Sequence, residues 1–413
     1  MGEKPWIGPK WHVSPYNFAP ETRTSIEIPE KIYIYDVTLR DGEQCPGVVF
    51  RKEDKINIAK KLDEIGVHRL EAGMPAVSEE DFESVKEIAQ LGLQSKVKAF
   101  SRALKADIDL ALKADVWGVT IELPSSEHLI KTGYQWTPDK VVSMAVEASL
   151  YAKSHGLQVS FFCIDSTRAQ PDFLRKLCTE VVNEGKADAL IIVDTFGVVN
   201  PIGFQYLIKK VRGWVKVPIE VHVHNDLGLA TANSVAGVTA GAQVVHTNVN
   251  GLGERSGGAS LEETLMVLRL LYGVELGVNY SKLVELSKLA EDISGVKNSP
   301  MKPVVGTNSF SYEAGIAVMF MYRFAKEGGA QAMQGGLPYL PEFVGNEFKV
   351  VLGKKSGSYS ITWELEKLGL TATDAETREI LKIVKEEALK TKKAVSSQRF
   401  REIAETMLKS KKS

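Results

Sequence analysis

The sequence predicts a (β/α)8 TIM barrel with an N-terminal arm and a C-terminal α-rich subdomain. Short β-rich runs alternate from residue 31 with amphipathic stretches of roughly 12 to 20 residues. Strand-then-helix pairs recur eight times within about 250 residues, the size of one such barrel. No G-x-G-x-x-G follows the first strand to favour a doubly wound dinucleotide fold. The 413 residues accommodate one large barrel and an appended piece.

Residues 1–30 hold Trp6, Pro9, Trp11, Pro15, Tyr16, Phe18, Pro20 and Pro29 without a period of 2 or 3.6. They read as an extended arm whose aromatic side chains pack onto the barrel or a neighbouring subunit. The barrel itself is expected over residues 31–280. Its predicted strands are Lys31–Asp36, His68–Ala72, Val97–Phe100, Trp117–Leu123, Gln158–Ile164, Leu190–Asp194, Ile219–His224 and Val244–Val249. Helical patterns follow them, for example Lys52–Ile65, Glu79–Leu91, Pro138–Ser154 and Pro171–Glu184, where the prolines occupy tolerated first-turn positions. Residues 281–413 change rhythm and read as a mostly helical lid or dimerisation subdomain. There Ser281–Ile293 looks helical, Asn298–Tyr312 irregular, and Asp374–Leu408 like two helices broken near Ser396–Ser397.

Composition narrows the function. The chain is 44% hydrophobic and 25% charged, as globular proteins are, and a net charge of −1 gives no nucleic-acid footprint. The terminal Lys409, Lys411 and Lys412 read as a solvated helix end. Cys45, Cys163 and Cys178 form no metal or disulfide spacing and suit a reducing compartment. No run of 18 apolar residues and no signal-peptide layout is present, so a cytoplasmic protein without a membrane partner is expected.

In a barrel of this class the active site lies where strands end, so polar residues at those points matter. They are Arg40, Asp41 and Gln44 after strand one, Glu71 at strand two, and Arg102 at strand three. Ser125 and His128 follow strand four, Arg168 strand five, Thr195 strand six, and Asn248, Asn250 and Glu254 strand eight. Positions i and i+2 of a strand share a face, so the imidazoles of His222 and His224 project together. With Asp41 they form a two-histidine, one-carboxylate set suited to a divalent cation with open positions; two satisfied core histidines are the alternative. Arg40 reads as a surface ion pair or as a guanidinium aimed at a carboxylate or oxyanion. The Gly-rich segment 251–258 with Glu254 and Arg255 is a plausible acid/base loop, while Asp194-Thr195 could equally cap a helix.

Two motifs make the chain recognisable: Asp36-Val37-Thr38-Leu39-Arg40-Asp41-Gly42-Glu43-Gln44 and His222-Val223-His224-Asn225-Asp226-Leu227-Gly228. They resemble the homocitrate synthase and 2-isopropylmalate synthase family of metal-dependent barrel acyltransferases. Glu71-Ala72-Gly73-Met74-Pro75-Ala76 and Asn250-Gly251-Leu252-Gly253-Glu254-Arg255 bring it nearest to the nitrogen-fixation type of homocitrate synthase, over residues 31 to about 360. The resemblance implies condensation of an acyl-CoA, expected to be acetyl-CoA, with a 2-oxo acid to give CoA and a 2-hydroxy di- or tricarboxylic acid. It implies a divalent metal (Zn, Mn, Co, Fe or Mg) on Asp41, His222 and His224. Arg40, Glu254, Thr195, His128 and Tyr312 would carry the chemistry. Arg40, Gln44, Glu71, Arg102, Ser125, Arg168, Thr195 and Asn250 would line the substrate site. It further implies a homodimer exchanging its C-terminal subdomain, to which Leu352–Gly357 would belong. The chain stops too soon for a regulatory domain of the 2-isopropylmalate synthase type, so leucine feedback is not expected.

Four positions depart from the family pattern. Gly258 stands where an asparagine near or on the metal is expected. Tyr312-Glu313-Ala314-Gly315-Ile316-Ala317 lacks both histidines of His-Glu-Ser-Gly-Ile-His. Ile164-Asp165 lacks the first carboxylate of Glu-Asp, and Lys355 replaces a histidine. These changes point to an altered substrate or altered proton handling, with Tyr312, His128 or Lys355 as substitutes for the residue lost at Ala317. The competing readings are a 3-hydroxyacyl-CoA carbon–carbon lyase of the HMG-CoA lyase type and a non-catalytic barrel.

Overall fold

The computed structural model describes residues 4–409, so Lys411, Lys412 and the side chain of Lys409 lie outside the described residues. The chain divides into two compact units, one of residues 16–298 and one of residues up to 15 together with 299 onward.

The larger unit is a closed eight-stranded barrel. A short helix α1 (Pro20–Arg23) precedes strand β1 (Tyr33–Asp36). Then come α2 (Lys52–Ile65), β2 (Arg69–Glu71), α3 (Glu79–Gln90), β3 (Lys96–Arg102), α4 (Lys105–Lys113), β4 (Gly118–Pro124) and α5 (Pro138–Ser154). The second half adds β5 (Gln158–Ile164), α6 (Pro171–Asn183), β6 (Ala189–Asp194), α7 (Pro201–Trp214), β7 (Ile219–Val223), α8 (Ala230–Thr239), β8 (Val244–Thr247), α9 (Leu261–Tyr272) and α10 (Leu283–Ser294). All neighbouring strands are parallel, and β8 closes on β1 with Tyr33 opposite Val244 and Asp36 opposite Thr247. Local chemistry sets the helix starts: Ser78, Thr137 and Asn200 accept from Asp81 N, Lys140 N and Gly203 N. Caps of this kind are worth about 1 kcal/mol each.

Two predicted strands end early. The seventh stops at Val223, and His224 instead makes an isolated bridge with Gly258. The eighth stops at Thr247, because Val249–Gly251 form a tight 3-10 turn in which Asn250 is left-handed at φ 59°. The loop after β8 thus folds back over the barrel mouth.

The floor of the barrel is polar. Lys98 Nζ donates to Ser160 Oγ at 2.6 Å, and Ser160 Oγ to Glu220 at 2.9 Å. Glu220 also accepts from Arg69 at 3.0 Å and meets His246 Nε2 at 2.9 Å. Burial pushes the Glu220 carboxyl up, but Lys98, His246 and Arg69 outweigh it and hold it down at about 2. Burial lowers Lys98 to about 8 against the opposing charge of Glu220. Removing one partner of such a buried set strands the others. Glu220→Ala is therefore expected to destabilise the protein by about 3–5 kcal/mol, read from denaturant midpoints. A loss below about 1 kcal/mol would show that the floor is solvated instead.

In the other unit, Trp11 bridges Tyr339 and its ring lies 5.8 Å from that of Phe343. Strands β9 (Ser311–Tyr312) and β10 (Lys349–Val350) pair in parallel. Helix α11 (Gly315–Ala332) is kinked at Gly328 and Gly329, and Gly329 is left-handed at φ 66°. Helices α12 (Ser358–Lys367), α13 (Asp374–Thr391) and α14 (Ser397–Lys409) enclose Ile361, Leu365, Ile380, Val384, Phe400 and Ile403. The arm expected as one segment is divided. Residues 4–15 pack with this unit, whereas Arg23 Nη1 donates to Tyr272 O at 3.2 Å and Glu27 N to Thr239 O at 2.8 Å on the barrel. Among the described residues no helix is long and apolar enough to cross a membrane.

Candidate active site

After β1 the backbone turns at once: Arg40 N, Asp41 N and Gly42 N all donate to Val37 O. This tight turn places two consecutive charged side chains, both buried, at the barrel mouth. Thr38 Oγ1 accepts from Val249 N at 2.8 Å, and Asn248 Nδ2 donates to Asp41 Oδ2 at 2.9 Å, fastening the turn to the β8 loop.

Asp41, His222 and His224 converge, with one ligand atom from each lying within 4.8 Å of the others. His222 Nε2 is 3.3 Å from His224 Nε2, and His224 Nε2 is 4.0 Å from Asp41 Oδ1. Metal–ligand bonds of about 2.1 Å allow ligand atoms up to about 4.2 Å apart, so these separations suit one ion. Burial holds the His222 imidazole well below its usual range, with His224, His246 and Arg40 adding to the effect, so it is neutral as a ligand requires. Its Nδ1 lies 3.3 Å from His246 Nδ1, and His246 Nε2 meets Glu220. With His246 donating to Glu220, its Nδ1 accepts from His222 Nδ1–H. The lone pair on His222 Nε2 is then left facing His224.

Arg40 is held from three sides. Its Nε donates to Glu71 Oε2 at 2.6 Å, and its Nη1 to Gln44 Oε1 at 3.0 Å and Asp41 Oδ1 at 3.4 Å. The guanidinium sits 4.1 Å from the Phe100 ring centre. Burial works against its charge, but Glu71 and Asp41 outweigh that and raise its pKa further. Its Nη2 is buried and has no partner among the described residues, as does His224 Nδ1. A buried, unsatisfied donor on a fixed cation beside a carboxylate–imidazole cluster is a feature that a bound anion or oxyanion would satisfy.

The remaining predicted residues spread outward. Thr195 Oγ1 accepts from Asp165 N at 2.8 Å, while Asp194 carries Thr167 and the backbone of Val198 and Val199. Glu254 is half-buried and 3.3 Å from Arg255, which is left-handed at φ 55° and bonds Asp226 and Thr195 O. Ser125 Oγ donates to Ile164 O. Arg168 is paired with Asp165 and lines a cavity of about 450 Å³ with His128 and Lys131. Arg102 is half-exposed and doubly bonded to Asp107. Asn250 turns toward α10, where its amide exchanges hydrogen bonds with Ser287. Tyr312 belongs to the other unit, its hydroxyl donating to Gly336 O at 2.9 Å.

Sequence reasoning named Asn248 at the end of strand eight but passed over Glu122, Glu220 and His246. Strand parity is the signal that would have found them. In β4, Thr120 and Glu122 alternate with apolar Val119, Ile121 and Leu123, so both face inward. Thr120 meets Tyr35 OH at 3.0 Å, and Glu122 lies opposite Phe162, which itself faces His222. Burial raises the Glu122 carboxyl to about 7; Arg40 and Arg102 oppose the shift, and Glu71 and Glu254 add to it.

The comparisons agree with this geometry. Residues 31–290 match the HMGL-like family. The chain is 41% identical over 383 residues to the homocitrate synthase AksA of Methanothermobacter thermautotrophicus, covering 93% of this chain and 95% of that one. It is 40% identical to the 2-isopropylmalate synthase of Methanocaldococcus jannaschii, over 84% of this chain and 65% of that one. A putative (R)-citramalate synthase CimA of Archaeoglobus fulgidus is also 40% identical, over 92% and 76%. Among solved structures, the HMG-CoA lyase of Bacillus subtilis shares the fold at a TM-score of 0.61 and 20% identity, over 67% of this chain and 98% of that one. A mouth carrying an Asp–His–His cluster, on a barrel with relatives this similar, leaves one assignment: the chain belongs to the HMGL-like family.

Proposed function

We propose that this chain condenses an acyl-CoA, with acetyl-CoA as the first candidate, with a 2-oxo acid, releasing CoA and a 2-hydroxy dicarboxylic acid. The observation that carries the reading is the unpartnered Nη2 of Arg40, buried beside Asp41, His222 and His224. The names of the relatives support it chemically. Homocitrate, 2-isopropylmalate and citramalate share one frame, a carbon bearing hydroxyl, carboxylate and a carboxymethyl arm, and differ only in the fourth substituent.

A divalent cation held by Asp41, His222 and His224 supplies Lewis-acid polarisation of a keto carbonyl, and mixed nitrogen and oxygen ligands accept Zn, Mn, Co, Fe or Mg. Arg40 Nη2 donates to the oxygen that gains negative charge when the keto carbon is attacked. Glu122, in its carboxylate form, takes the proton from the carbon beside the thioester carbonyl; that carbon forms the new C–C bond as the keto C=O π bond opens, and the resulting alkoxide takes up a proton to become the hydroxyl. Water then cleaves the thioester, and the thiol of CoA leaves. Glu254, which raises Glu122 through its charge, lies on the loop after β8, which Arg255 ties to Asp226 and Thr195 O.

The wall beside Arg40 selects the fourth substituent. Phe100, Phe162, Ile191 and Val193 form an apolar cluster, with Met74 and Ile164 partly exposed against it. This supports an oxo acid with an apolar substituent rather than one carrying a second carboxylate. The test is CoA release from acetyl-CoA by metal-replete protein with pyruvate, 2-oxoisovalerate, longer or aryl 2-oxo acids, oxaloacetate and 2-oxoglutarate. Chelator-sensitive release with 2-oxoisovalerate or a longer apolar acid is expected. Release confined to 2-oxoglutarate would overturn the pocket argument, and no release with any pair would overturn the condensation.

A further inference from the structure

Asp41 presents its two oxygens differently. Oδ1 faces His224 Nε2 at 4.0 Å and Arg40 Nη1 at 3.4 Å. Oδ2 meets the loop after β8. Asn248 Nδ2 donates to it at 2.9 Å, and the backbone of Gly253 comes so close that a Cβ there would lie 2.9 Å from it. The orientation of Asp41 is therefore set by the end of β8.

Asn248 is 1% exposed and locked at its backbone: its N–H donates to Ala259 O, and its carbonyl accepts from Gly251 N and Leu261 N. Its side chain lies over Gly258, where a Cβ would come within 2.4 Å of Asn248 Oδ1 and 3.3 Å of Cγ. Gly258 has no left-handed backbone, unlike Gly257 at φ 84°, so conformation does not demand glycine there. Space does. Gly258 also bridges His224, and the neighbouring Gly257 O accepts from Asn225 N, so the loop cannot move off without disturbing the strand that carries the histidines.

We propose that Asn248 is the positioning residue of the Asp41–His222–His224 centre, and that the amide on β8 and a side chain at 258 are mutually exclusive occupants of one space. The departure at Gly258 is then an exchange: the loop gives up its side chain and the strand supplies the amide. This rests on the reading of the three residues as a metal centre.

The experiment is a mutant cycle read by calorimetric Co(II) affinity and by the visible d–d spectrum of the Co(II) form, with near-UV circular dichroism as the fold check. Asn248→Ala is expected to weaken Co(II) binding about 10–100-fold, as loss of a ligand-orienting partner does. Asn248→Asp keeps the shape while replacing the donor by a second carboxylate, and is expected to change the Co(II) spectrum with the fold intact. Gly258→Asn is expected to weaken binding similarly, and Asn248→Ala with Gly258→Asn to recover at least tenfold over that single variant. Wild-type affinity and spectrum in Asn248→Ala and Asn248→Asp would overturn the positioning role. A double variant no better than Gly258→Asn would overturn the exclusion. Absence of Co(II) binding by the unaltered protein would instead overturn the metal reading, and this proposal with it.

Discussion

His222→Ala is expected to remove more than about 100-fold of divalent-metal affinity, since losing even a residue that orients a ligand costs about 10–100-fold. Condensation should fall with it. The effect is large because the imidazole serves on both sides: Nε2 is 3.3 Å from His224 Nε2, and Nδ1 is 3.3 Å from His246 Nδ1. Truncation also leaves His246 Nδ1 without its donor in a buried site, which adds a stability loss of about 1–3 kcal/mol. Calorimetric metal titration and thermal unfolding, with and without chelator, separate the two. An unchanged metal affinity would refute the Asp41–His222–His224 assignment. A stability loss with normal affinity would make His222 a core residue, the alternative that the sequence leaves open.

Glu122→Gln is expected to lower kcat by about 10²–10⁴-fold, the usual scale for a lost general base, without changing metal affinity. The pH profile is the sharper readout. The Glu122 carboxyl is raised to about 7 by burial and by the charges of Glu71 and Glu254, against Arg40 and Arg102. The charged form is the one that accepts a proton, so it is scarce below about 7 and abundant above. Turnover should therefore rise with pH through that region, and the rise should vanish in Glu122→Gln. A variant that keeps the acidic limb would show that another group titrates, and the proton would then pass elsewhere.

Much of the molecule was legible in the chain because the relevant signals are local. Alternation within each short run marks a strand, the 3.6 period marks the helices between, and eight repeats leave few ways to close. His222 and His224 were legible for the same reason, since two residues of one strand share a face whatever surrounds them. Arg40 and Asp41 could be placed because they directly follow a strand. The two early strand ends were not legible: at Val223 the distant Gly258 loop takes over the pairing of His224, and at Thr247 the chain enters a turn that requires the left-handed Asn250, a conformation that alternation does not signal.

By itself the sequence determined the eightfold strand–helix order, the mouth at which the charged residues gather, and the pairing of two histidines with one carboxylate. Tertiary structure decided what those residues touch. Closure of β8 on β1 brings Asn248 to Asp41, and the pairing of β7 with β8 brings His246 to His222, contacts between positions more than 20 residues apart in which neither partner predicts the other. Register turned Glu122 inward beside Phe162, and burial among fixed charges, which no strand can establish alone, set its proton affinity. The arm was divided at residue 15 for the same reason: a segment without periodicity takes its place from whichever surface offers partners.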